Sequence, residues 1–133
     1  MNVFSGHISD IQVSKNLSMV SIEINEYIKL KTILVETPDT APYLHKGNLV
    51  KLLFKETEVI ISKDDSSLIS IQNKIPATIK KCDSGVLLSK ITLRTAIGDI
   101  VAIITTEILN ELSLKENLAV IVMIKVNEIM LSK

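Results

Sequence analysis

The segment Leu49-Val50-Lys51-Leu52-Leu53-Phe54-Lys55-Glu56-Thr57-Glu58-Val59-Ile60-Ile61-Ser62 returns without a gap as Ala119-Val120-Ile121-Val122-Met123-Ile124-Lys125-Val126-Asn127-Glu128-Ile129-Met130-Leu131-Ser132. The offset is about 70 residues, and it sets Lys55 on Lys125, Glu58 on Glu128 and Ser62 on Ser132. The same register carries Ile33-Leu34 onto Ile103-Ile104 and Leu44 onto Leu114. Upstream, small shifts put Ile22 and Ile24 on Ile91 and Leu93, and Gly6-His7-Ile8 on Ala77-Thr78-Ile79. Such shifts belong in loops, where insertions are tolerated. Self-similarity at a fixed period means one supersecondary unit used twice. The chain therefore divides into units 1–63 and 68–133 around the linker Lys63-Asp64-Asp65-Ser66-Ser67, which is polar and turn-rich.

Within each half the apolar residues follow a period of two. Val20, Ile22 and Ile24 alternate with Ser21, Glu23 and Asn25, and Ile91 and Leu93 with Thr92 and Arg94. This is the pattern of a strand with one wet face. Leu52 to Phe54 and Leu118 to Ile124 are instead unbroken apolar runs, as in strands covered on both faces. So small a unit rarely covers both faces alone, and the runs predict packing between the halves and between chains. Hydrophobic residues make up 47% of the chain but aromatics only 3%. The core must then be Ile, Leu and Val, a bias toward side chains that fit a pleated surface. One short helical turn is expected in each half. Thr37-Pro38-Asp39 places a capping hydroxyl before a proline at the first helical position, and Thr106 to Leu112 reads the same way with Thr106 as cap. Five short strands and one helical turn per half predict an all-β chain of two tandem OB-like small barrels.

Charge and composition exclude several functions. Fifteen basic residues balance 15 acidic ones, so no broad field draws nucleic acid or an anionic membrane, and any bound anion must be held locally. Phe4, Tyr27, Tyr43 and Phe54 are too few aromatics for a stacking platform. Cys82 is the single cysteine, which rules out an internal disulfide and fits a reduced cytoplasm. Cys82 also aligns with Ile11 as a small core residue and lacks a positioned base. The N-terminus shows no basic region followed by an apolar stretch, and Leu118 to Ile124 is too short to span a bilayer. His7 and His45 have no counterparts in the other half, which leaves no pair at zinc-ligand spacing. Asp64-Asp65 is a solvated linker pair, and Glu58 and Glu128 recur through duplication. No phosphate loop or nucleophile elbow occurs.

The second half carries an ordered series of short motifs. Ser70-Ile71-Gln72-Asn73-Lys74-Ile75-Pro76-Ala77 is followed by Ile104-Thr105-Thr106-Glu107-Ile108 with Leu112 in place. Then come Ile124-Lys125-Val126 and the tail Ile129-Met130-Leu131-Ser132. The first half offers Asn2-Val3-Phe4-Ser5-Gly6, Lys46-Gly47, Phe54-Lys55-Glu56 and Val59-Ile60-Ile61. In this order and spacing the chain resembles a pair of Mop, or TOBE-type, domains over nearly its whole length. That family includes the molbindins, the effector half of the molybdate-responsive transcription regulator and the tail domain of molybdate-importer ATPases. The resemblance implies a binding protein and not an enzyme: a cytoplasmic homo-oligomer that holds molybdate or tungstate at interfaces between units, for storage, homeostasis or sensing, with no organic cofactor. With the first unit beginning at residue 2, no helix-turn-helix is expected before the repeats, and a full DNA-binding regulator is not expected.

Molybdate is a tetrahedral dianion that offers only acceptor oxygens, so its site must supply N–H groups, hydroxyls and a cation. The resemblance implies hydroxyl ligands at Ser70 and Thr105 and the family lysine at Lys125, with Lys55 as its first-half counterpart. Gln72 stands at the family's arginine, and Thr106 adds an adjacent hydroxyl. Lys125 also interrupts an apolar run, where burial without a partner would be costly, unless it simply reaches solvent at the strand end. Departures are concentrated in the hydroxyl motif. Ile108 and Pro38 replace the family serine in the two halves, and Val35 replaces the threonine in the first. Asn2 and Asn73 match the family asparagine and are expected to be structural, bonding local backbone. The alternative to anion binding is an oligomerising interaction module with an eroded site.

Overall fold

The computed structural model describes residues 1–64 and 68–133; linker residues 65–67 lie outside the described residues. The first half forms β1 (Asn2–Ser14), β2 (Leu17–Glu23), β3 (Lys29–Leu34), β4 (Leu49–Phe54) and β5 (Ile60–Ser62). The second forms β6 (Asn73–Ser84), β7 (Leu88–Thr95), β8 (Gly98–Thr105), helix α1 (Thr106–Glu111), β9 (Ala119–Ile124) and β10 (Met130–Ser132). Short 3₁₀ turns, Glu56–Glu58 and Val126–Glu128, precede the last strand of each half. The strands build two antiparallel five-stranded sheets, and the chain is all-β apart from these turns and α1.

Each sheet takes its fifth strand from the opposite half. The order is β10-β4-β1-β2-β3 in one and β5-β9-β6-β7-β8 in the other. Leu131 pairs with Leu52 and Ile61 with Val122. The expected packing between halves is thus a reciprocal exchange of terminal strands. It leaves Val122, Met123 and Ile124 consecutively buried, as the apolar run in β9 requires. Both halves feed one hydrophobic cluster that includes Ile8, Ile22, Leu52 and Phe54 with Ile75, Ile79, Leu93 and Ile124. Phe54 stacks on Phe4 with ring centroids 5.9 Å apart.

Strand register corrects the alignment of the early strands. Val20 faces Thr32 and Ile22 faces Leu30, whereas Ile91 faces Ala102 and Leu93 faces Ile100. Val20 is therefore the counterpart of Ile91, and Ile22 that of Leu93. The connection between the facing residues Leu93 and Ile100 is one residue shorter than that between Ile22 and Leu30, and this accounts for the change of offset between the early and late strands. Matching apolar residues at a period of two cannot tell such a slip from the true register.

Two asparagines bridge the halves. The Asn2 side chain donates from Nδ2 to the Val101 carbonyl (2.9 Å) and accepts from the Val101 N–H at Oδ1 (2.8 Å). Asn73 does the same to Lys31, at 2.8 Å in both bonds. Lys31 and Val101 hold equivalent places on β3 and β8, one edge strand of each sheet. Each amide thus acts like one more residue of a strand and blunts an open edge. Both asparagines are structural, but their partners lie in the other half and not in the local backbone. Thr32 adds a third tie. Its buried hydroxyl sits 2.5 Å from the Ile129 carbonyl and 3.1 Å from that of Val126.

The expected helical turns differ between the halves. In the second, α1 forms, but its cap is Thr105 and not Thr106. In the first, the residues after Thr37 close a single turn, with Ala41 N–H on the Thr37 carbonyl at 2.8 Å, and no helix follows. Here Thr40 supplies the side-chain bond, accepting from the Thr37 N–H at 3.0 Å.

Candidate oxyanion site

Thr105 ends β8 with its side chain exposed, and its hydroxyl accepts the Ile108 N–H at 3.2 Å. Capping consumes a lone pair and leaves the O–H free to donate. Thr106 is arranged differently. Its hydroxyl donates to the Gly85 carbonyl at 2.9 Å and lies 2.7 Å from the buried Ser89 hydroxyl. Its one proton is committed, so among these neighbouring threonines Thr105 is the available donor.

Lys125 does not lie inside the apolar run. β9 stops at Ile124, and Lys125 is exposed at the start of the following 3₁₀ turn. Lys55 holds the same exposed place after β4. The cost of burying an unpaired ammonium therefore does not arise within the chain, and Lys125 reaches solvent at the strand end.

The strand exchange decides which residues meet. The 3₁₀ turn after Lys55 packs on β8, and the one after Lys125 packs on β3. Lys55 lines a cleft with Met1, Glu56, Thr57 and Ile103. Ile103 and Thr105 are two residues apart on β8 and share a face. Lys55 of the first half thus approaches the hydroxyl motif of the second. Lys125 follows Ile124, the direct partner of Asn73, and Asn73 is fastened to β3. Gln72 precedes Asn73, with exposed Ser70 two residues further back. The sequence-derived residues therefore fall into two groups: Thr105, Thr106 and Lys55 at one corner, and Gln72 and Lys125, with Ser70 on their approach, beside the other.

The Thr105 corner holds a side-chain cation that the motifs do not mark. Lys90 on β7 is the direct cross-strand partner of Ile103, so its side chain shares the face of Ile103 and Thr105. Glu56 lies at the same corner. Its carboxylate meets the N-terminal ammonium at 2.6 Å, and that hydrogen bond holds it below the usual glutamate range, with the charge of Lys90 acting in the same direction. Asp83, the partner of Lys90 on β6, is 3.5 Å from Lys81.

At the corresponding first-half corner, Val35 stands in the place of Thr105 and Glu36 in that of Thr106. Met19, the direct partner of Ile33, stands in the place of Lys90. Glu36 accepts from the Tyr43 hydroxyl at 3.2 Å. Burial and then the Glu36 charge raise the Tyr43 pKa.

No protein-family model and no curated protein sequence matches the chain. A solved structure matches it almost end to end. The cytoplasmic molybdate-binding protein ModG, in a crystal form with molybdate bound, aligns with a TM-score of 0.90 and 26% identity over 98% of this chain and 94% of its own. The chain has the tandem Mop fold. MopII from Clostridium pasteurianum, in an apo form, aligns at 26% identity over 49% of this chain and 98% of its own, with a TM-score of 0.47. No helix among the described residues of the chain is long and apolar enough to cross a membrane. Lys90 escaped the sequence reading because its place beside Thr105 depends on the register of β7 against β8. The visible signal was only a charged residue alternating with buried Ser89 and Ile91.

Proposed function

We propose that this chain binds a tetrahedral oxyanion, molybdate or tungstate, inside the cell, for storage, homeostasis or sensing. The observation that carries the reading is the near end-to-end likeness to ModG with molybdate bound. The free hydroxyl of Thr105 and the ammonium of Lys55 support it, since a dianion is held by charge-assisted bonds from donors of this kind. In our reading the protein is a binding protein and no enzyme, works as a homo-oligomer without nucleic acid or membrane partners, and repeats one unit over 1–63 and 68–133. The loss of hydroxyls at Val35, Pro38 and Ile108 favours the second reading, an oligomerising interaction module without a ligand.

Titration calorimetry with molybdate, tungstate and sulfate separates the two. Micromolar or tighter binding of molybdate or tungstate, with weaker sulfate binding, is the expected result; no heat with any of the three would leave the interaction module. Thr105→Val should weaken the oxyanion about tenfold or more, the effect of removing one hydrogen bond to a charged group. Because Thr105 also caps α1, the same variant should lose about 1 kcal/mol of stability, which a urea melt reads separately.

A further inference from the structure

We infer that the two corners are functionally unequal: the dianion is held at the Thr105 corner, where Lys90 joins Lys55 as a second cation, and not at the Val35 corner. This rests on the oxyanion reading above and adds which residues of this chain hold the ion and how many ions it takes.

The two corners occupy equivalent places in the repeat, so their differences can be read residue against residue. Thr105 has a free O–H, and Val35 has none. Lys90 is a cation beside Ile103, whereas Met19 beside Ile33 is neutral. Thr106 is a satisfied neutral hydroxyl, whereas Glu36 is an exposed carboxylate and repels an anion. Each corner keeps one lysine after its late strand, Lys55 or Lys125. Gln72 and Lys125 remain as donors beside the Val35 corner, but that corner has Met19 in the place of Lys90 and carries the Glu36 carboxylate, which accepts from Tyr43. At the Thr105 corner, Glu56 is already paired with the N-terminal ammonium and Asp83 with Lys81. Lys55 and Lys90, whose charge also acts on Glu56, are the side-chain cations of this corner, set against the one further carboxylate of Glu107 in the cleft that Thr105 and Thr106 line. An anion so placed has one hydroxyl and two ammonium groups as donors, all of them charged or free to turn toward it.

The test uses the full-length protein titrated with molybdate, and with sulfate as the competing tetrahedral dianion. Wild type should take up no more than one tightly held molybdate per chain. Lys90→Met, which installs the residue of the other corner, should weaken molybdate about tenfold or more with an unchanged melting temperature. Lys125→Met should weaken molybdate less than Lys90→Met does. The triple variant Met19→Lys, Val35→Thr, Glu36→Thr should add a second molybdate per chain. Two equivalent molybdates per wild-type chain, or a loss with Lys125→Met larger than with Lys90→Met, would overturn the inference while leaving oxyanion binding intact. A wild type that binds no oxyanion would overturn both.

Discussion

Asn73→Ala should lower the stability of the protein by about 3 kcal/mol, although it removes a side chain of modest size and no charge. The loss does not come from apolar burial. Asn73 is 2% exposed, and its amide makes both hydrogen bonds to the backbone of Lys31, across 42 positions of sequence. Without it, a backbone N–H and a backbone carbonyl lose their partners in a partly buried strand edge. Each such orphan costs about 1–3 kcal/mol. The variant also leaves a small void where the amide stood. For a chain of this length the melting temperature should fall by about 10 °C. Asn2→Ala breaks the same arrangement against Val101 and should have a similar effect. Asn73→Asp should be worse than Asn73→Ala, because the carboxylate has no donor for the Lys31 carbonyl and sets negative charge against it. Urea melts of the three variants provide the check. A loss under about 1 kcal/mol for Asn73→Ala would show that water replaces the amide and that the halves are not braced in this way.

Phe54→Ala should be larger still, at about 4 kcal/mol, within the range for truncating a buried aromatic. Phe54 is fully buried near the end of β4, and its ring lies against Phe4 of the neighbouring β1. Its counterpart on β9 is Ile124, also fully buried. The second half therefore shows what an aliphatic side chain does at that position, and Phe54→Ile is the informative control. It retains most of the buried volume and should cost only about 1–1.5 kcal/mol, as near-isosteric core swaps do. Equal losses for Phe54→Ala and Phe54→Ile would mean that the ring contact with Phe4, and not the filled volume, sustains this part of the core.

The repeat was legible because duplication leaves residue-by-residue matches wherever both copies must bury the same face. Lys55 and Lys125, Glu58 and Glu128, and the apolar runs of β4 and β9 all fell into place without a gap. The all-β character followed from alternation at Val20, Ile22, Ile91 and Leu93. The exchange of β5 and β10 was not legible. Ile60 to Ser62 would satisfy the ladder of either half equally well, and local pattern says nothing about which edge is taken. That choice also rearranged the candidate site. The sequence joins Lys125 to Thr105 because both lie in the second half, while the fold carries Lys55 toward Thr105 and Lys125 toward β3. Thr106 matched on residue type alone, and only the bonds to Gly85 and Ser89 show its proton already committed. Lys90 carried no motif at all. Its position is a property of the register between two strands, which a periodic pattern leaves undetermined.

The reciprocal exchange also orders events in time. The sheet built on β1 to β4 receives its last strand from residues 130 to 132, which the ribosome makes about 75 residues after the rest of that sheet. Until then β4 presents an open edge of apolar residues, and the Thr32 hydroxyl waits for carbonyls not yet synthesised. Pairing over such separations is slow, because loop closure precedes any reward from contact. The first half is thus committed to waiting for the second, and both sheets close late and together. Selection acting on the C-terminal strand is for that reason selection on the N-terminal sheet.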